Sequence, residues 1–351
     1  MGTNHGDHDA WMIRLNSNRD TVWTRVMGGA WYDGASKAIA TADGGFVVAG
    51  YTQSNNTGDV GANHGKTDWW IIKLKSNGDT AWTKLIGGIN DDFAKGIEAT
   101  ADGGFVVVGS ATASVDEDVM AIKFNSSGDI VWQKTFGGTG TDIASAVTVY
   151  PNGSIMIAAT TQSNNTGDVG ANHGLSDFWI IKLKVDGEKE WMKTFGGDQN
   201  DIPLAIANTA DGGAVIAGST SSNQSGDVVK TYGKEDMWVI KLNASGQINW
   251  DYLLGMAGSD VASAVKVTPD GSYIIAGHSD SKYFGNNSTN LVILKLTNKG
   301  YFTFNHSFGG TGYDEESALL MNTDGSFYVA GNTQSSGHGL TDGWLLKIKY
   351  Y

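Results

Sequence analysis

Carboxylates are the residues of this chain best placed to do chemistry, and they return at fixed intervals. Asp33, Asp92, Asp142, Asp201, Asp260 and Asp314 each follow shortly after a glycine-rich pair that begins at Gly28, Gly87, Gly137, Gly196, Gly255 or Gly309. A second set, Asp9, Asp68, Asp118, Asp177, Asp236 and Asp342, opens an apolar run, with Asn290 in the same place. Two chemistries suit such a pattern. The first set could converge on a cation, or each carboxylate could accept N–H groups of its own loop. Two carboxylates about 7 Å apart repel by roughly 2.4 kcal/mol at an effective dielectric near 20. A converged ring therefore needs a cation or raised pKa values, and the backbone latch is the expectation.

Positions that differ between copies carry the functional signal. The three residues before each Asp of the first set are never the same twice. They include Trp31 and Tyr32, Asn90 and Asp91, Gln199 and Asn200, and Tyr313. Aromatic faces beside amides and a carboxylate suit a sugar, so these seven form the candidate ligand site. The bland alternative is that Trp31 plugs a packing gap. Tyr232, Tyr283 and Phe284 are further unshared aromatics. A carbohydrate-active hydrolase or lyase would need two carboxyls at a defined separation. Asp91-Asp92 and Asp314-Glu315-Glu316 offer them. No G-x-S-x-G element, P-loop, H-E-x-x-H or cysteine site accompanies them.

The stretch TQSNNTGDVGANHG occurs twice, at residues 52–65 and 161–174. Its Asn-x-Thr-x-Asp core suggests oxygen ligands, which makes calcium at Asp59 and Asp168 an alternative to plain loop structure. An EF-hand needs Gly sixth and Glu twelfth. Counted from Asn55 these places hold Val60 and Lys66, so that motif fails. His64 and His173 align with each other, and with His5 and His338. The expectation is a connector whose Asn and Asp side chains bond their own backbone.

What positions these residues is a repeat. Each copy reads as four short strands. Strand A follows the glycine pair, strand B is a run such as FVVAG, strand C a run such as WIIKL, and strand D carries a tryptophan. The runs are rich in Val, Ile, Trp and Thr and bounded by Gly, Asn and Asp. Such units repeated from about residues 28, 87, 137, 196, 255 and 309 predict an all-β, six-bladed β-propeller of four-stranded antiparallel blades, as one domain over 1–351. Residues 9–26 read as strands C and D without A or B, so the ring is expected to close by terminal strands sharing one blade. One strand C is then surplus. The A–B and C–D turns are short, which leaves the B–C and D–A connections to elaborate the opposite end.

Totals bound the partners. Among 351 residues the net charge is −13, which argues against nucleic acid and anionic membrane surfaces. No apolar run is long enough to span a membrane. The N-terminal residues lack the apolar core of a signal peptide. Cysteine is absent, so thiolate sites are excluded, and 49 glycines imply many tight turns.

The spacing G-x-x-x-W recurs at Gly78–Trp82, Gly128–Trp132, Gly187–Trp191 and Gly246–Trp250. It resembles the tryptophan-docking motif of quinoprotein-type propellers, although no quinone cage can be placed on these residues. The full unit, from Gly-Gly-x-x-x-Asp through DGGFVVAG to the W-x-x-KL run, resembles β-propeller repeats of secreted and surface-attached bacterial proteins. That resemblance implies an extracellular or cell-surface binding module whose partner is a glycan or a protein. The alternatives are a carbohydrate-active enzyme and an architectural repeat of a larger surface protein.

Overall fold

The computed structural model describes residues 3–112, 116–281, 288–322, 324–337 and 340–349, apart from the side chain at position 317. Tyr283, Phe284 and His338 lie outside the described residues. Every regular element among the described residues is a strand, and each strand falls where a period-two or fully apolar run is bounded by turn residues.

The chain opens with β1 (Ala10–Leu15) and β2 (Thr21–Met27). Five four-stranded antiparallel sheets follow. The first holds β3 (Asp33–Ala40), β4 (Phe46–Thr52), β5 (Asp68–Leu74) and β6 (Thr80–Ile86). The second holds β7 (Phe93–Ala99), β8 (Phe105–Thr112), β9 (Glu117–Phe124) and β10 (Ile130–Phe136). The third holds β11 (Asp142–Val149), β12 (Ile155–Thr161), β13 (Asp177–Leu183) and β14 (Lys189–Phe195). The fourth holds β15 (Asp201–Asn208), β16 (Ala214–Thr220), β17 (Asp236–Leu242) and β18 (Ile248–Leu254). The fifth holds β19 (Asp260–Val267), β20 (Tyr273–Ser279), β21 (Asn290–Leu296) and β22 (Phe302–Phe308). Last come β23 (Asp314–Met321), β24 (Phe327–Thr333) and β25 (Asp342–Ile348), which form a three-stranded sheet. The class is the expected one, all-β propeller blades of A-B-C-D order.

The terminal strands form two sheets, β1–β2 and β23–β25. β2 takes β1 as its partner, with Arg14 opposite Trp23. That place matches Lys73 opposite Trp82 and Lys241 opposite Trp250. β1 is therefore the strand C of β2's own hairpin. Residues 16–20 join this hairpin and close a short loop, at small entropic cost.

Contacts gather into two units. One comprises Met1–Ile155, Thr166–Asp168 and Leu183–Lys189, and the other Met156–Asn165, Val169–Lys182 and Glu190–Tyr351. In the first, Trp69, Ile71, Ile97, Phe105 and Phe124 fill the space between the first and second sheets, and Trp70, Val48 and Met27 pack β1–β2 onto the first. In the second, Val239, Met237, Ile275 and Leu294 join the fourth sheet to the fifth, and Ile293, Phe327 and Val329 join the fifth to the last. Burying a tryptophan or phenylalanine side chain contributes about 2–3 kcal/mol each.

The G-x-x-x-W spacing has a physical basis. Each strand-D tryptophan lies against the turn glycine of the next repeat. Trp23 meets Gly78 (φ +86°), Trp82 meets Gly128, Trp132 meets Gly187, Trp191 meets Gly246 and Trp250 meets Gly300. A side chain there would strike the indole, and the left-handed φ suits glycine. The indole N–H of Trp23 then donates to the Ser76 carbonyl at 3.1 Å, and that of Trp250 to Asn298 at 3.2 Å. One tryptophan thus fastens one repeat to the next.

Candidate functional site

The first set of aspartates is a set of latches. Asp33 accepts the Gly29 N–H (2.6 Å), the Ser54 hydroxyl (2.8 Å) and the Thr52 hydroxyl. Asp260 does the same with the Met256 N–H and the hydroxyls of Ser279 and Ser281. Asp314 does so with Gly310, Thr333 and Ser335. The Thr-x-Ser that opens the duplicated stretch exists to close this latch. Burial pushes the carboxyls of Asp92, Asp201 and Asp260 up, against the donors that hold them down.

The second set sits beside the first. A Cβ at Gly196 would meet Asp177 Oδ1 at 2.5 Å and Asp201 Oδ2 at 2.6 Å, and Gly87 lies the same way between Asp68 and Asp92. Two carboxylates approach one glycine in the same way at Gly28 and Gly137, Asn290 replaces one of the two at Gly309, and Gly255 meets Asp236 alone, which is why no side chain is accepted there. The duplicated stretch covers the carboxylate of the second set. The His64 N–H and ring Nδ1 both bond Asp68 Oδ2, at 2.9 and 2.6 Å, and His173 repeats this on Asp177. Asn63 Nδ2 donates to the Thr52 carbonyl at 3.2 Å, and Asp59 N–H donates to the Gly28 carbonyl at 2.9 Å. Gly58 (φ +57°) packs on that same carbonyl. The loop is a latched connector. Asp59 accepts the Gly28 N–H at 3.3 Å, and Asp168 pairs with Lys189 at 3.2 Å. Among the described residues, no group of three or more His, Asp or Glu side chains could hold a metal ion.

Among the described residues the second repeat shows no such cover. Residues 53–67, fifteen in all, join β4 to β5, whereas residues 113–116, four in all, join β8 to β9. Asp118 is half-buried where Asp68 and Asp177 are fully buried. Its Oδ1 has no hydrogen-bond partner. Burial, then the charges of Asp116, Asp142 and Asp168, push its carboxyl up to about 6. Beside it opens a cleft of about 430 Å³ lined by Lys66, Asn90, Asp91, Thr112, Asp116, Glu117, Thr141 and Ile143. Asp91 accepts the Thr67 hydroxyl at 2.6 Å and lies 3.9 Å from the Lys66 ammonium, while the Asn90 amide reaches the Thr112 carbonyl at 3.5 Å. Amide, hydroxyl, ammonium and carboxylate groups all face this space.

The other expected residues are distributed. Trp31 is 58% exposed and Tyr32 46%; the Trp31 N–H is held by Ser54 Oγ at 2.9 Å, and Tyr32 stacks on His8 at 4.8 Å. No hydrogen bond or ring contact links this pair to Asn90 or Asp91. In the second unit Gln199 is fixed by its N–H to Ser222 Oγ at 2.9 Å, and Asn200 bridges to Ser176. Tyr313 donates to Glu315 at 3.1 Å and faces the ring of His278. Sequence reasoning missed Asp116 and Glu117 as cleft residues. The shortened connector was the readable signal. It also missed His278, a deviation from Ser and Asn at that strand-B position in the neighbouring repeats.

No protein-family model matches the sequence, and no curated protein matches it. Solved structures resemble it along most of its length. The periplasmic gluconolactonase of Pseudomonas aeruginosa superposes with a TM-score of 0.53 at 12% identity, over 96% of this chain and 94% of that one. A protein of unknown function from Dyadobacter fermentans gives 0.54 at 12% identity, over 92% and 97%. A puromycin hydrolase gives 0.52 at 12% identity, over 93% of this chain and 47% of that one. At such identity the likeness is one of fold. None of the described residues forms a helix long and apolar enough to cross a membrane.

Proposed function

We propose that this chain is a non-catalytic binding module of the extracellular or cell-surface kind, and that it recognises a glycan at the loop-bearing end of its blades. The observation that carries this reading is the polar cleft of about 430 Å³ beside Asn90 and Asp91, in the repeat whose strands B and C are joined by the shorter connector. Hydroxyl-rich ligands match a wall of amide, hydroxyl and carboxylate groups. The exposed Trp31–Tyr32 pair is a separate apolar face in the same unit, suited to stacking on a pyranose ring. The resemblance to repeats of secreted and surface-attached proteins supports the location. The test is a glycan and polysaccharide array run with the chain and with its Asp91→Asn and Trp31→Ala variants. Binding weakened at least tenfold by Asp91→Asn supports the cleft. Binding lost only in Trp31→Ala moves the site to the aromatic pair. Silence across the array removes the glycan and leaves a protein ligand or an architectural role.

A second reading has one observation in its favour. Asp118, with its carboxyl near 6, is protonated over part of the physiological range, as a general acid must be, and Asp116 and Glu117 supply further carboxylates next to it. This is the arrangement a hydrolase or lyase acting on a carbohydrate would use. Release of new reducing ends from an array-positive polysaccharide, abolished by Asp118→Asn, would establish it. Binding without cleavage rejects it.

A further inference from the structure

Two deviations from the repeat face each other in the second unit. Two residues into strand A the other repeats carry a small or cyclic side chain, Ala262 in β19 and Pro203 in β15, but β23 carries Glu316. One residue before the end of strand B, β16 has Ser219 and β24 has Asn332, but β20 has His278. His278 Nδ1 lies 3.8 Å from Glu316 Oε1, an ion-pair distance too long for a hydrogen bond. Glu316 is 6% exposed, and neither of its carboxylate oxygens has a hydrogen-bond partner, nor has His278 Nδ1. A buried carboxylate without donors costs several kcal/mol, so the repeat's usual alanine would be the stable choice here. Retention of glutamate against that cost points to a ligand.

The surroundings say which kind. Glu315 accepts Tyr313 Oη at 3.1 Å and Asn332 Nδ2 at 3.3 Å. Glu235 accepts the hydroxyls of Ser219 (2.6 Å) and Ser259 (2.8 Å). Glu316 lies at ion-pair distance from the imidazole and Glu315 and Glu235 act on it through their charge; among the described residues no lysine or arginine forms an ion pair with any of the three. Burial disfavours the His278 imidazolium, yet Glu316, then Glu315 and Glu235, outweigh it and raise its pKa. Burial pushes the Glu316 carboxyl up as well. Tyr313 is 41% exposed, and its ring lies 6.3 Å from that of His278.

We propose that this cluster binds a small organic cation through a primary ammonium group. The ammonium supplies three donors and a positive charge, where Glu316 has two unpartnered oxygens and the cluster an excess of negative charge. The Tyr313 face accepts the adjoining carbon chain. A neutral polyol supplies donors without charge, and among the described residues no group of three or more His, Asp or Glu side chains could hold a metal ion. Bound cation displaces the His278 proton, so affinity rises as pH rises through the His278 titration. The titratable groups facing His278 are Glu315, Glu316 and Tyr313 from β23 and its approach, and Glu235 from the start of β17.

The test is calorimetric titration of the whole chain with 1,4-diaminobutane at pH 6 and pH 8, with 1,4-butanediol as the neutral isostere. The diamine is expected to bind, at least fivefold more tightly at pH 8, and the diol not to bind. Glu316→Gln should weaken the diamine at least tenfold, and His278→Asn should flatten the pH dependence. Should Glu316→Gln not fold, Tyr313→Ala at the exposed rim should still weaken binding about threefold. The proposal fails if the diamine gives no heat to millimolar concentration, if the diol binds equally, or if Asp91→Asn in the first unit abolishes diamine binding while Glu316→Gln and Tyr313→Ala leave it intact.

Discussion

The two ends of a blade treat carboxylates in opposite ways. At the A–B turns, Asp43, Asp102, Asp211 and Asp270 each receive the ammonium of a strand-C lysine, Lys73, Lys123, Lys241 and Lys295, at 2.8 to 3.3 Å. Their carboxyls are held below the usual range, Asp102 at about 2. At the loop end Asp168 and Asp91 have a lysine nearby, but among the described residues none forms an ion pair with the buried aspartates that open the strands there. Asp92, Asp118, Asp177, Asp201, Asp236 and Asp260 are pushed up by burial and in most cases by a second carboxylate. Charge is neutralised where the turns are uniform and left to hydrogen bonds where the loops vary. A ligand that brings donors or positive charge has something to gain only at the second end.

The largest effect should come from intruding on a loop-end carboxylate pair. Gly196→Ala places a methyl against Asp177 and Asp201, both fully buried, and should cost about 3 kcal/mol of unfolding free energy. Gly170→Ala, in the second copy of the duplicated stretch with nothing within 4 Å, should change it by less than about 0.5 kcal/mol. Urea midpoints of the two variants decide this. Equal losses would mean that the pair is not the tight element described.

Removing one carboxylate from each end comes next. Asp201→Ala orphans the Gly197 N–H (2.7 Å) and the Ser222 hydroxyl (2.9 Å) in a buried setting, at about 2–3 kcal/mol. Asp211→Ala breaks a pair whose acid is half in water, and should cost about 1 kcal/mol or less. A loss at Asp211 matching that at Asp201 would erase the distinction between the ends.

The same contrast has opposite signs in pH. Asp118 is raised from 3.8 to about 6, so the folded chain holds the extra proton between those values, and stability falls as pH rises through that window. Asp102 is lowered from 3.8 to about 2, so its contribution is complete above 3.8 and is lost as pH falls through about 2. Melting temperatures from pH 2 to 8 should show the decline between pH 4 and 6 become shallower in Asp118→Asn, the other raised aspartates keeping their share. Asp102→Asn should soften only the acid limb. A decline as steep in Asp118→Asn as in the parent chain would mean that Asp118 takes no part in it.

Much of this was legible in the sequence, because a period of strands, turn glycines and tryptophans states the blade directly. The latch role of the first aspartates followed from the cost of a converged ring, and the structure shows their donors one by one. What stayed hidden depends on which side chains meet across sheets. His278 and Glu316 lie on strands 38 positions apart in sequence, 316 minus 278, and nothing in either strand announces the other. The seven candidate ligand residues share a loop position, but the D–A loops spread Trp31–Tyr32 and Asn90–Asp91 to separate places. Asp118 was grouped with its latched counterparts because its residue type is the same. Only the missing cover distinguishes it.

The smallest effect probes that cover. His64→Ala removes the ring's bond to Asp68 and leaves the backbone N–H bond in place, so the loss should be about 1 kcal/mol. His173→Ala should lose the same amount, since His173 makes the same two bonds to Asp177 at the same distances. Equal losses, and melting temperatures indifferent to calcium or chelator, are what two structural latches give. A calcium-dependent stabilisation lost with Asp59→Ala or Asp168→Ala would instead make the stretch a metal loop.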